Sequence, residues 1–171
     1  MEQLKKIKML LMDADGVLTD GRIIFGGDFE ISIFDVHDGF GITLAKQAGL
    51  ITAIISSRKS NSILQRAKQL GFNEICQGCQ QKLVEYENLQ AKYNLSDDEI
   101  ACMGDDFSDI PMMQEAGFGI AVRNAREEVK EIADYTTFCM GGRGAVREVV
   151  ELILKAQGKW ETIVEGFVKP K

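Results

Sequence analysis

Short apolar runs alternate with helix-like stretches along most of this chain, and that alternation constrains its fold more than any other feature. It predicts an α/β fold with one doubly wound, mainly parallel sheet, because parallel strands need helical crossovers to connect them. Strands are expected at residues 7–12, 50–55, 74–77, 100–103, 118–122 and 135–138. Helices are expected at 41–47, 60–70, 82–93, 108–115, 126–133 and 145–156, with Gly49 and Gly71 closing two of them. Residues 22–25 and 31–36 flank Gly26-Gly-Asp-Phe-Glu30 and read as an early β-hairpin. Ser96-Asp-Asp-Glu99 has the pattern of a capping box just before an apolar run. With 171 residues, no repeat and no proline-marked linker, the whole chain (1–171) is read as one domain.

Composition narrows the function classes. A formal net charge of -6 argues against a nucleic-acid partner, whose phosphates call for a basic surface. No apolar run approaches the roughly 20 residues that span a bilayer, and residues 7–12 are too short for a signal peptide, so a cytoplasmic protein with no membrane partner is expected. Cys76 and Cys79 have the C-x-x-C spacing, but no further Cys or His ligand stands near them and His37 is the lone histidine. Ordinary thiols in a reducing compartment are the expectation.

In open α/β sheets ligands bind at the carboxyl ends of the strands. Here those ends carry Asp13 and Asp15, Ser56 to Arg58, a segment leading to Lys82, and Asp105 to Asp109. Asp13 and Asp15 are two residues apart at a strand end, so in extended backbone they point the same way. Carboxylates gathered this closely repel one another unless a cation joins them, and Mg2+ suits a site of carboxylate and water oxygens. With such an ion Asp13 has the chemistry of a nucleophile toward phosphorus. Asp15 is placed to protonate the leaving alcohol and then to deprotonate a water. Ser56 is a candidate donor to a phosphoryl oxygen, and Lys82 a candidate to offset the charge that accumulates in flight.

In order, Asp13-Ala-Asp-Gly-Val-Leu-Thr-Asp-Gly21, Ile54-Ile-Ser-Ser-Arg58, Gln77-Gly78 with Lys82, and Gly104-Asp-Asp-Phe-Ser-Asp109 resemble the four motifs of haloacid dehalogenase superfamily phosphatases. Within that superfamily, Phe34-Asp-Val-His-Asp-Gly39, Gly141-Gly-Arg-Gly-Ala-Val-Arg-Glu148 and Ala156-Gln-Gly-Lys159 look like the 3-deoxy-D-manno-octulosonate 8-phosphate phosphatase family. The resemblance implies hydrolysis of an eight-carbon sugar acid phosphate for lipopolysaccharide. It implies Mg2+ held by the side chains of Asp13 and Asp105 and the main-chain carbonyl of Asp15. It also implies substrate contacts from Asp35, Val36, His37, Asp38, Gly39, Arg58, Arg66 and Lys82. Arg143 is a further candidate for the substrate carboxylate, reaching a neighbouring subunit's site, while Arg147 is expected on a helix surface. The chain departs from the family pattern at Ser57, where the second motif usually has glycine, and at Thr43, where relatives can carry arginine. Ser57 puts the geometry of its loop in question.

About 40 residues separate Asp15 from Ser56, which leaves no room for an inserted cap domain. Capless members of the family are tetramers in which hairpins meet and a neighbour closes each site, so a homotetramer is expected, with the apolar hairpin at 22–36 as its flap. The other reading of that segment is an edge ribbon packed on its own domain. The tail at 158–171 is either a lid or a frayed terminus. Three rival functions stay open: a phosphatase of a nine-carbon sugar acid phosphate, a receiver-like phosphoacceptor, and an inactive assembly module. Arg58 and Arg143 favour the eight-carbon substrate. A receiver carries its acid pair and its phosphoacceptor on different strands, unlike Asp13 and Asp15.

Overall fold

The computed structural model of the protein describes residues 2–27 and 29–168. Four-residue β1 (Met9–Met12) is wholly buried and lies between β4 (Ile51–Ser56) and β6 (Ile100–Gly104), parallel to both. β5 (Glu74–Gln77) extends the sheet beyond β4, and β7 (Phe118–Ala121) and β8 (Tyr135–Thr136) extend it beyond β6. The order β5-β4-β1-β6-β7-β8 is parallel throughout. From β1 the chain builds first to one side and then to the other, so the crevice at the carboxyl end of β1 is the topological switch point where α/β folds bind ligands. Register lines up the strand ends: Met12 pairs with Ile54 on one side and Met103 on the other, and the Asp13 amide donates to the Met103 carbonyl at 3.0 Å.

The helices follow from capping and periodicity. Ser60 caps α2 (Asn61–Leu70) by accepting from the Ile63 amide, and Gly71 closes it in the left-handed region. α3 (Lys82–Tyr93) ends on Asn94, also left-handed. The capping box at Ser96 is present around a short 3-10 turn. A second 3-10 turn, Phe107–Asp109, precedes α4 (Ile110–Glu115), so that helix starts later than expected, with Pro111 in its first turn. α5 (Glu127–Glu131) and α6 (Ala145–Ala156) complete the expected set, and α6 buries six apolar residues along one face.

Two expected segments come out differently. The hairpin strands are β2 (Ile24–Gly26) and β3 (Phe29–Ile31), shorter than predicted, and the expected turn residue Asp28 lies outside the described residues. Helix α1 (Val36–Gln47) begins five residues before the expected start at Gly41, because Asp35 accepts from the His37 amide at 2.7 Å and caps it. At Gly41 an added Cβ would lie 3.1 Å from the Arg147 Cα, so the glycine is there to let α1 pack closely on α6. Among the described residues, only the turn after Asp13, the hairpin and α1 stand between β1 and β4, with no cap domain.

The tail folds as well. Residues Trp160–Val168 form α7, set against α1 and α6 through an edge contact between Phe167 and Phe40 and through Arg147, whose guanidinium lies 5.4 Å from the Phe40 ring and 5.3 Å from Trp160. Arg147 thus packs between rings rather than standing free on its helix. The frayed-terminus reading fails for residues 160–168, and the rest of the expected tail, 169–171, lies outside the described residues.

Candidate active site

Asp13 leaves β1 in extended conformation, and Asp15 keeps nearly extended angles before Gly16 turns the chain at φ 94°. A side chain at residue 16 is excluded twice over: the φ is left-handed, and a Cβ there would lie 2.1 Å from Asp105 Oδ2. The turn is fixed by buried Thr19, whose amide donates to the Ala14 carbonyl at 3.0 Å and whose hydroxyl oxygen accepts from the Gly16 amide at 3.3 Å. From the last third of the chain, the Gly142 amide donates to the Val17 carbonyl at 2.8 Å, and Gly141 presses so closely that a Cβ on it would meet the Gly16 carbonyl oxygen at 1.6 Å.

Lys82, the first residue of α3, is almost fully buried and donates to Asp13 Oδ1 and to Asp109 Oδ1, each at 2.7 Å. Burial by itself pulls its ammonium down, but the two carboxylates outweigh that and hold it above its ordinary value. Asp109 has no exposed surface, and its other oxygen accepts from the amides of Asp105 and Asp106 at 2.9 and 3.2 Å. Burial and the Asp109 charge push the Asp13 carboxyl up to about 6, against the pull of Lys82. Burial and the charges of Asp13 and Asp109 push Asp105 up to about 8. Asp105 Oδ1 is buried with no hydrogen-bond partner. Three carboxylates cluster around one lysine, and one of their oxygens is orphaned, so the donor set suits a cation. Carboxylate oxygens of Asp13, Asp105 and Asp109 lie within 4.8 Å of one another, a set that fits a hard divalent ion. Because the Asp109 oxygens are already taken, Asp13 and Asp105 are the side chains free to hold it.

Asp15 has a partner of its own outside that cluster. Arg58 Nε donates to its Oδ2 at 2.9 Å and a terminal Arg58 nitrogen to its Oδ1 at 3.2 Å. The other edge of the same guanidinium is bound by Glu30 from β3, at 3.0 and 3.3 Å. Ser56 is buried at the end of β4, and its hydroxyl oxygen accepts from the Arg58 amide at 3.2 Å. Ser57 does not adopt positive φ, so serine satisfies the position usually held by glycine. Asp13, Asp15, Ser56, Arg58, Lys82 and Asp105 line a single cleft of about 200 Å³ together with Ser57, Asp106 and Ser108.

Comparison with known proteins agrees with this arrangement. Residues 71–144 match the haloacid dehalogenase-like hydrolase family. The 3-deoxy-D-manno-octulosonate 8-phosphate phosphatase KdsC of Escherichia coli strain K12 is 40% identical over 156 residues, spanning 91% of this chain and 83% of the relative. The chain belongs to the 3-deoxy-D-manno-octulosonate 8-phosphate phosphatase family. A solved member from Moraxella catarrhalis, in complex with magnesium ion, phosphate ion and KDO, superimposes with a TM-score of 0.95 at 43% identity, over 97% of this chain and 96% of that one. The cobalt-bound Haemophilus influenzae member gives 0.93 at 34% identity, over 98% and 99%. With the parallel sheet, these likenesses establish the α/β fold of the superfamily.

The remaining residues expected from the family resemblance do not reach the cleft of this chain. Asp35 caps α1, and Val36 and His37 are exposed in its first turn. Asp38 needs correction as a substrate contact within the chain: it is fully buried, accepts from the amides of Gly144 and Arg147 at 3.0 and 2.9 Å, and so anchors the start of α6. Burial raises its carboxyl above the ordinary range, partly countered by those amides. Gly39 is spent on packing, since a Cβ there would lie 2.5 Å from an Arg66 nitrogen. Arg66 lies over the Phe34 ring at 5.9 Å and donates to Gln69 at 2.8 Å. Arg143 lies beside Asp20 at 4.0 Å, in a separate depression with Arg22, Asn124, Met140 and Gly141. Two residues of the site carried no expected role. Asp109 stood in plain view in the fourth motif, whereas Glu30 was one acid in an apolar hairpin and gave no signal.

Proposed function

We propose that the chain hydrolyses 3-deoxy-D-manno-octulosonate 8-phosphate to 3-deoxy-D-manno-octulosonate and phosphate, for lipopolysaccharide synthesis, as one Mg2+-dependent domain. The observation that carries this reading is the division of labour between two acids two residues apart: Asp13 is bonded to Lys82 and grouped with Asp105 and Asp109, while Asp15 is bonded to Arg58. Bound Mg2+ would be held by Asp13, Asp105 and the main-chain carbonyl of Asp15, and would lower the repulsion between nucleophile and phosphate.

An Asp13 carboxylate oxygen attacks phosphorus, the bond to the sugar's C8 oxygen breaks, and Asp15 gives that oxygen a proton. A water then attacks the aspartyl-phosphate, Asp15 takes its proton, and the bond to Asp13 breaks to release phosphate. Lys82 steadies Asp13, and Ser56 donates to a phosphoryl oxygen.

A Mg2+-dependent phosphate-release screen over sugar and sugar acid phosphates tests this, with Asp13→Asn alongside. Full activity in that variant sinks the mechanism. The nine-carbon sugar acid phosphate belongs in the same screen, because both edges of the Arg58 guanidinium are already engaged and Arg58 was one of the two residues favouring the eight-carbon compound. Preference for it overturns the substrate assignment.

A homotetramer whose hairpins meet and whose neighbours complete each site is part of the proposal. It is supported by the hairpin, where Phe25 is 72% exposed and Phe29 61%, with Ile24, Ile31 and Ile33 also open to water. A neighbour is also the route by which Val36, His37 or Arg143 would meet substrate. Among the described residues no helix is long and apolar enough to cross a membrane, and we place the enzyme in the cytoplasm.

A further inference from the structure

Arg58 offers the two edges of its guanidinium to two carboxylates of different origin. Asp15 belongs to the turn that follows the nucleophile, and Glu30 to strand β3 of the hairpin, so one cation ties the hairpin to the acid that serves the leaving group. Glu30 is no stray surface acid. Its side chain is 18% exposed and also accepts from the hydroxyls of Ser60 and Ser62. Ser62 shares a further hydrogen bond of 2.7 Å with Ser32, just past β3. Donation from Arg58 and Ser60 holds the Glu30 carboxyl below the usual range. A carboxylate held by three side chains is fixed in place, and a guanidinium engaged on both edges cannot swing.

We propose that Glu30 is a positioning residue: from the hairpin it locks Arg58, and through Arg58 the direction of Asp15, so that protonation of the leaving oxygen requires a seated hairpin. The inference rests on reading Asp13 as nucleophile and Asp15 as acid. Without Glu30 the long Arg58 side chain regains its rotamers and takes the Asp15 carboxylate with it. A displacement of about 1 Å in a reacting group is enough to cost on the order of 100-fold in rate. The loss falls only on steps that use the Asp15 proton.

The test uses purified full-length Glu30→Gln with saturating Mg2+ and two substrates. One is a primary alkyl phosphate, whose oxygen must be protonated as it leaves. The other is 2,4-dinitrophenyl phosphate, whose phenolate leaves without a proton. Read in a single turnover as the rate of leaving-group release, before Asp15 is needed as a base, the expected result is a loss on the order of tenfold or more on the alkyl ester and less than about twofold on the aryl ester. Equal losses on both mark a merely structural role and overturn the proposal, as does no loss on either. Should Glu30→Gln fail to fold, the doubly substituted Ser60→Ala, Ser62→Ala protein carries the same comparison, with a smaller selective loss expected on the alkyl ester. Wild-type protein that turns over simple alkyl phosphates but not the sugar acid phosphate sinks the substrate assignment and leaves the ester comparison intact. Wild-type protein inert to every ester sinks the phosphatase reading and this inference with it.

Discussion

Lys82 Nζ lies 2.7 Å from Asp109 Oδ1, with both side chains shut away from water. A lysine this deep stays charged because its two acids hold it so, and they in turn would be intolerable without it. Asp13, the proposed nucleophile, is the second of those acids, which makes the Lys82–Asp109 pair a fixed support for it.

Lys82→Met is expected to lower kcat by about 10²- to 10³-fold, the range for losing one preorganised electrostatic partner. Asp109→Asn leaves Lys82 on Asp13 alone and is expected to cost about 3 kcal/mol of stability, as when one member of a buried pair is removed. Steady-state turnover and urea denaturation measure the two effects. A Lys82→Met enzyme within threefold of wild type would refute the role.

Gly16→Ala drives a methyl into the Asp105 carboxylate and forces alanine to φ 94°. The backbone cost alone is about 1–3 kcal/mol. Calorimetric titration should show weakened Mg2+ binding, and a melting curve a lower Tm. Binding as tight as wild type would mean that Asp105 is not a ligand.

Mg2+ and protons are expected to compete for the acid cluster. Asp13 and Asp105 are raised in the folded protein to about 6 and about 8, so without metal they favour the folded state only while protonated. That stability is fully present below their unfolded value near 4 and is lost as pH rises through 6 to 8. Mg2+ replaces the missing charge, so its Tm increment should be larger at pH 8 than at pH 6. An increment independent of pH would contradict this.

Asp38→Asn should lower Tm while leaving KM nearly unchanged, because the carboxylate serves the first amides of α6 and does not face the cleft of its own chain. Loss of a helix-end acceptor costs about 1–2 kcal/mol. A KM raised tenfold in a protein of unchanged Tm would restore Asp38 as a substrate contact.

Phe25→Glu with Phe29→Glu puts charge on the exposed hairpin face. Light scattering should show smaller particles than wild type, with turnover of the sugar acid phosphate reduced. An unchanged mass would remove the hairpin from the assembly.

The sheet was legible in the sequence because buried parallel strands read as apolar runs and glycines close helices between them: 74–77 and 82–93 appear with the expected bounds, and 7–12 loses only Ile7 and Lys8. The expected helix at 41–47 missed the first turn of α1, where Asp35 supplies the cap and Gly39 gives clearance to Arg66, a contact that depends on another element. In the cleft, Asp13, Asp15, Ser56, Lys82 and Asp105 were legible from strand-end logic, since each follows or closes on a core strand. Arg58 was expected at substrate from the family resemblance, whereas its pairing with Glu30, 28 residues away on a different element, is announced by no local pattern.

Gly141 and Gly142 give the turn after Asp13 its backing wall, more than 120 residues after the turn itself. During synthesis the carboxylates therefore emerge long before the surface that shapes them. A nascent chain shorter than about 142 residues has its acids without their final geometry, so the site takes its shape only once Gly141 and Gly142 are in reach. The same interlock ties sequence drift in the two glycines to drift in the Asp13 turn: neither segment is free to change its backbone alone.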